Sequence, residues 1–472
     1  MSSIQWSKEV EDRKELLIKD TQELLHIKSL LDEENATEEA PLGEGVKEAL
    51  DFMLNLGEKD GFVTKNVGNL AGHIEFGEGE ESVGILCHVD VVPEGDGWSS
   101  DPYAAEIRDG KIFARGAIDD KGPTMAAYYA MKIVKDLGLP LSKRVRMIIG
   151  TDEESKWRCV DHYFEHEEMP TIGFAPDADF PIINAEKGIA DFDFVLGKMT
   201  GEVEKEAHAE VISFQSGRRY NMVPDYAKAS LYVLSEQTAV LQRFDDFLKE
   251  HQVTGKYHVD NGELILEVEG VSVHGMEPNN GKNAGLFLGA FLNELQLDRY
   301  SAQYFSFLTK HFFKDSRGKQ LGVAYSDDIT GELTINVGVL SFNKNTGGKI
   351  GLNLRYPVTT KIDETKETLE TVSKEFGFTL ENFSNSKPHH VDEKDFLIQT
   401  LKKVYEEQTG EKAELLSIGG GTYARSLKSG VAFGPLFPGR PDSAHQKDEY
   451  IIIDDLLKAT AIYAQAIYEL AR

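Results

Sequence analysis

The sequence predicts an α/β fold in two parts: a layered α/β domain assembled from both ends of the chain, and an α+β domain inserted between them. Three observations carry this. At 472 residues the chain is longer than one ordinary hydrophobic core organises. Up to about residue 190, apolar strand-like runs alternate with helical patterns, which implies a layered sheet with ligands at its strand ends. Between residues 188 and 388 the pattern changes to alternating strands and hairpins interleaved with amphipathic helices.

The elements follow in order. Strand-like runs stand at Val83–Val92, Val145–Gly150 and Phe180–Asn184, and a helical pattern covers Pro123–Leu137, with proline near its start and Gly138 at its end. Residues 106–116 read as a hairpin turning on Asp109-Gly110. The middle carries strands at Ile189–Leu196, Lys228–Leu234, Glu263–Glu269, Leu333–Leu340 and Ile350–Arg355, with helices at Val240–His251 and Ile362–Phe376. After Ser384–Pro388 come a helix at Phe396–Gln408, a glycine-rich loop and a final helix from Asp454. The domains expected are therefore 1–187 with 389–472, and 188–388.

Composition narrows the partners. Lys and Arg number 51 against 80 Asp and Glu, a formal net charge of -29 that repels nucleic acid and anionic membrane. No run approaches the roughly 18 apolar residues of a membrane span. The first twenty residues mix charge with apolar residues at helical spacing, unlike a secretory signal. With only Cys87 and Cys159 present, a reducing cytoplasmic setting is expected. Cys87 beside His88 reads as a small buried hydrophobe.

Five segments place metal-ligand residue types at the ends of apolar runs or in the loops beside them: CHVD (87–90), GAIDDKG (116–122), GTDEES (150–155), FAPDADFP (174–181) and DSAHQKDE (442–449). On a strand, His88 and Asp90 share a face, so one imidazole nitrogen can ligate while Asp90 accepts the N–H of the other. The triplet His-Val-Asp recurs at 258–260 and 390–392, where no further ligand types surround it. Asp119-Asp120 precede a helix start, a place where acids also serve as caps, but a single carboxylate there can bridge two cations. Asp152-Glu153-Glu154 follow an apolar strand, and three adjacent carboxylates repel one another unless a cation lies close. His88, Asp119, Glu154, Asp177 and His445 together form an imidazole and carboxylate set suited to two zinc ions, with manganese or cobalt as substitutes. The loop SIGGGTYARS (417–426) lacks the Lys-Ser/Thr ending of a P-loop.

These residues, in this order, resemble the dinuclear zinc peptidases that include succinyl-diaminopimelate desuccinylase, aminoacylase and carnosinase. The signatures are H-x-D after a strand, G-x-x-D-x-K-G, D-E-E, P-D-A and the C-terminal A-H. GILCHVDVVPEGDGW, ARGAIDDKGP, GTDEES, PDADFPIIN and SIGGGTYAR bring the chain nearest the dipeptidase V branch, over essentially its whole length.

The resemblance implies a zinc-peptidase catalytic domain with an inserted ferredoxin-like lid, and two zinc ions per chain. His88, Asp119 and Asp177 would hold one ion and Asp119, Glu154 and His445 the other, with Asp119 bridging and the Asp119–Asp120 peptide cis. Asp90 would orient His88, and Glu153 would be general base to a metal-bridging hydroxide. In the lid, His274 would stabilise the oxyanion, while Asn221 and Arg355 would grip the substrate carboxylate and Gly420 and Gly421 would approach the peptide. The expected activity is hydrolysis of unblocked dipeptides by a monomer. The alternatives are an amidohydrolase acting on N-acyl or N-succinyl amino acids and a catalytically silent binding protein.

Overall fold

Ser82–His88 forms a strand in which every residue is buried. In the computed structural model, which describes residues 4–198 and 207–472, it lies between two parallel neighbours, Arg144–Gly150 and Ile172–Ala175. A strand covered on both faces has no solvated side, so its sequence is continuously apolar rather than alternating. Gly430–Ala432 extends the parallel set beside Ile172–Ala175, although it comes from the other end of the chain. On the opposite side Ala71–Phe76 and then Val63–Val67 pair antiparallel.

Helices Lys121–Asp136 and Ile453–Ala471 pack on each other and on the central strand. The first is buried along nearly its full length, as a helix apolar on all sides must be. Phe174, from the sheet, stacks on Tyr463 of the second with ring centroids 5.6 Å apart. Glu106–Arg108 and Lys111–Phe113 form the expected hairpin, with Asp109 and Gly110 both at positive φ.

The described residues divide into two compact units. One comprises the chain to Ala185 with His390–Ser417 and Gly421–Arg472; the other comprises Glu186–His389 with Ile418–Gly420. The sequence sets the divisions at 187/188 and 388/389, and assigns none of the 417–426 loop to the second unit. There, an antiparallel sheet runs in the order Thr254–Asp260, Glu263–Glu269, Tyr226–Val233, Ala209–Ser216, Thr334–Asn343, Gly347–Tyr356, Gly188–Leu196, Thr379–Glu381. Helices Gln237–His251, Ala284–Asn293, Arg299–Phe312 and Ile362–Glu375 share one apolar core with it, through residues such as Phe244, Phe291, Phe305 and Leu369.

Two element boundaries differ in ways that matter for the site. The strand expected to reach Val92 ends at His88. The Val89 N–H still reaches the Gly150 carbonyl at 3.1 Å, but the Val91 N–H turns to Ser29 at 3.0 Å. Asp90 therefore lies beyond the ladder. The helix expected from Pro123 begins at Lys121, so Asp120 is its cap position and Asp119 the residue before. Among the described residues no helix is long and apolar enough to cross a membrane.

Candidate metal centre

The parallel strands end side by side, and three of them deliver acidic or imidazole groups from their C-terminal ends. His88 closes its strand; Glu153 and Glu154 follow Gly150; Asp177 follows Ala175. Peptide amides are spent in the ladder up to these points, so the residues after them are released into loops with their side chains unconstrained by the sheet. Asp119 arrives from the loop before helix Lys121–Asp136. That loop turns at Gly116, whose φ of 87° and close approach to Val91 (2.9 Å from a would-be Cβ) suit glycine. The Asp119–Asp120 peptide is cis.

Two groups of donors result, His88 with Asp119 and Asp177, and Asp119 with Glu154 and His445, each with its ligand atoms within 4.8 Å of one another. The His88 Nε2 lies 3.1 Å from Asp119 Oδ1 and 3.4 Å from Asp177 Oδ2. His445 Nε2 lies 2.9 Å from Asp119 Oδ2 and 3.0 Å from Glu154 Oε1. The two oxygens of one carboxylate thus face different histidines, which is the arrangement a bridging ligand requires.

The electrostatics are those of a crowded anionic site. Burial works against a charge on the His88 imidazole, yet the carboxylates of Asp177, Asp119 and Asp90 hold its pKa well above the ordinary value. Hydrogen bonds to Asp119 and Glu154 push His445 up to about 11. Burial and the Asp119 charge raise Glu154 to about 7 and Asp177 to about 6. Asp119, despite burial, is held below the carboxylate range by both histidines. The surrounding carboxylates draw both imidazoles toward the charged form, which offsets part of the cluster's negative charge. Two divalent cations bound by neutral imidazoles would do so more completely, and the nitrogen and oxygen donors fit zinc, manganese or cobalt.

The supporting contacts differ from the simplest expectation. His88 Nδ1 bonds the main-chain carbonyl of Asp90 at 3.0 Å, while Asp90 Oδ1 stands at 3.4 Å. The Asp90 carboxylate accepts instead the N–H groups of Glu153 (3.2 Å) and Glu154 (3.1 Å). Ending the strand at His88 is what frees Asp90 to reach across. Burial raises the Glu153 carboxyl well above its usual pKa, with the charges of Asp177, Glu154 and Asp119 adding to the effect against His88.

Sequence reasoning missed Glu449. Fully buried, it accepts the N–H of Gly116 (3.1 Å), Ile118 (2.9 Å) and Asp119 (3.2 Å) and pairs with Arg115 at 2.6 Å. The signal was present as an acid four residues after His445, but acids in a polar loop are ordinarily solvated. Asp120, read from the sequence only as a helix-start acid beside Asp119, has a further contact: its Oδ2 accepts the His88 N–H at 3.1 Å and the Thr124 hydroxyl at 3.1 Å.

The second unit brings several of its expected residues together. The Gly275 N–H donates to the Asn221 carbonyl at 2.7 Å, and Met222 and His274 form an isolated antiparallel bridge. Burial, and then the nearby Arg355 charge, lower the His274 pKa. Arg355 is buried and donates to Asn353 Oδ1 at 2.8 Å and to the Gly419 carbonyl at 3.0 Å, which ties it to the segment carrying Gly420. Gly421 falls in the first unit.

Residues 84–469 match the model of peptidase family M20/M25/M40. The chain belongs to that family. It is 59% identical over 467 residues to the Bacillus subtilis (strain 168) protein named "Putative dipeptidase YtjP", covering 99% of this chain and all of that one. Human carnosine dipeptidase 1 shares the fold at a TM-score of 0.57 and 14% identity, with 98% of each chain covered. So does aminoacylhistidine dipeptidase from Vibrio alginolyticus, at 0.59 and 14%, with 97% of this chain and 96% of that one covered. The M20 membership and the mixed α/β fold thus agree with the sequence reading.

Proposed function

We propose that this M20 peptidase is a metal-dependent dipeptidase that hydrolyses free dipeptides. The observation that carries the metal dependence is the Asp119 carboxylate, whose Oδ1 and Oδ2 each meet a separate histidine and acid pair. Support for dipeptides as the substrate comes from the name carried by the 59% identical relative. Two zinc ions per chain are the proposed cofactors, held by His88, Asp119 and Asp177 and by Asp119, Glu154 and His445; manganese or cobalt would suit the same donors. Bound there, such ions polarise a substrate carbonyl and make water acidic enough to ionise near neutral pH.

The chain's own residues do the rest. Glu153, its pKa raised by burial, takes a proton from the attacking water and returns it to the leaving amine. Asp90 holds the main chain of Glu153 in place. In the inserted domain, which we assign as the lid, His274 is kept neutral by burial and by Arg355 and donates a hydrogen bond to the developing oxyanion. Arg355 and Asn221 take the substrate carboxylate, and the backbone at Gly420 and Gly421 lines the peptide. A cytoplasmic monomer is the form proposed.

Metal-stripped protein, and protein restored with zinc or manganese, would be assayed on free dipeptides beside N-acetyl and N-succinyl amino acids. Metal-dependent cleavage of the dipeptides alone is the expected result. Cleavage confined to the acylated compounds would replace the dipeptidase reading with an amidohydrolase, and silence on all of them with metal bound would indicate a binding protein.

A further inference from the structure

Helix Arg158–His166 carries a second concentration of metal-ligand residues, apart from the five already described. His162, Glu165 and His166 stand at positions i, i+3 and i+4, which places them on one face. Their ligand atoms lie within 4.8 Å of one another, with His162 half-buried and Glu165 and His166 exposed. The two imidazole rings approach to 4.3 Å between centroids, inclined by 38°. The His166 Nδ1 donates to the main-chain carbonyl of His162 at 2.8 Å. That bond fixes the tautomer and leaves the lone pair on Nε2, the orientation a metal-bound histidine usually has.

We propose that His162, Glu165 and His166 form a separate binding site for one borderline divalent transition ion of the zinc, nickel or copper class, completed by water. Imidazole nitrogens at this spacing on a helix select such ions over magnesium or calcium, which prefer an all-oxygen shell. Donors around a tetrahedral ion with bonds of about 2.1 Å lie roughly 3.4 Å apart. Small rotations of the two exposed side chains therefore close the site without moving the helix. The adjacent Glu167 and Glu168 are engaged by Lys65 and Arg144, so their carboxylates are committed elsewhere. An ion here would lock the last turn of the helix that follows the Glu153-Glu154 segment.

The test counts ions on the zinc-loaded full-length protein after equilibrium dialysis against micromolar nickel. Wild type is compared with Glu165→Gln and with a double variant carrying His162→Gln and His166→Gln. Wild type is expected to hold one more ion per chain than the double variant, and Glu165→Gln to weaken that additional ion by about tenfold or more. Copper in place of nickel should give an electron paramagnetic resonance signal with coupling to two nitrogens that disappears in the double variant. Dipeptide hydrolysis and the far-UV circular dichroism should be the same in all three proteins, since these side chains lie outside the catalytic set. Equal ion counts in wild type and the double variant, or a two-nitrogen copper signal that survives the double substitution, would overturn the proposal.

Discussion

The carboxylate of Asp90 accepts the N–H groups of both Glu153 and Glu154, at 3.2 and 3.1 Å. One side chain just past the His88 strand therefore sets the main chain that carries the proposed general base and a proposed ligand. Asp90→Ala should leave the His88 ring held by the main-chain carbonyl of residue 90 while loosening Glu154. Metal affinity should fall about 10- to 100-fold, read by competition with a chromogenic chelator. Unchanged affinity would show that the Glu153-Glu154 segment is positioned by other contacts.

Glu449 joins the Asp119 loop to the segment bearing His445. Glu449→Ala leaves the buried Arg115 guanidinium without its carboxylate, though still bonded to the Glu94 carbonyl, and three amides without an acceptor. Loss of one member of such a buried pair costs about 3–5 kcal/mol, so the variant should unfold at distinctly lower urea concentration. Glu449→Gln keeps an acceptor for the amides and should recover part of that loss.

His73 offers a pH dependence away from the metal centre. Burial, and then the Arg146 charge, lower its pKa to about 4, and its Nδ1 meets the Tyr163 hydroxyl at 2.8 Å. Below pH 6.5 the unfolded chain binds a proton that the folded chain refuses. The contribution is therefore complete above pH 6.5 and is lost as pH falls toward 4, by at most about 3 kcal/mol. Urea unfolding at pH 7.5 and 5.0 should show a larger drop for wild type than for His73→Gln. Parallel drops would place the acid sensitivity elsewhere.

The alternation of apolar strands with helices, and its change near residue 188, was legible because buried parallel strands and half-buried antiparallel ones leave different periodicities. Glu263–Glu269 was read to the residue, although it is buried from Leu264 to Val268 rather than on alternate residues. The reach of the His88 strand was not legible. Val89, Val91 and Val92 are apolar enough to continue it, yet the Val91 N–H leaves the ladder for the Ser29 carbonyl. At the site, sequence order and resemblance singled out the two donor groups that the fold assembles. Glu449 escaped because its burial depends on Arg115 and on amides more than 300 residues away. The His162, Glu165 and His166 group escaped for a different reason: exposed polar residues on a short helix ordinarily mean a solvated face.

Glu153 tests the mechanism most directly. Its side chain is not among either donor group, so Glu153→Gln should retain the ions of the Asp119 centre while losing its proton carrier. Measured together on one preparation, the metal content should match wild type and kcat on a free dipeptide should fall by about 10²–10⁴-fold. A variant with full metal content and near-normal kcat would contradict the proposed proton transfer.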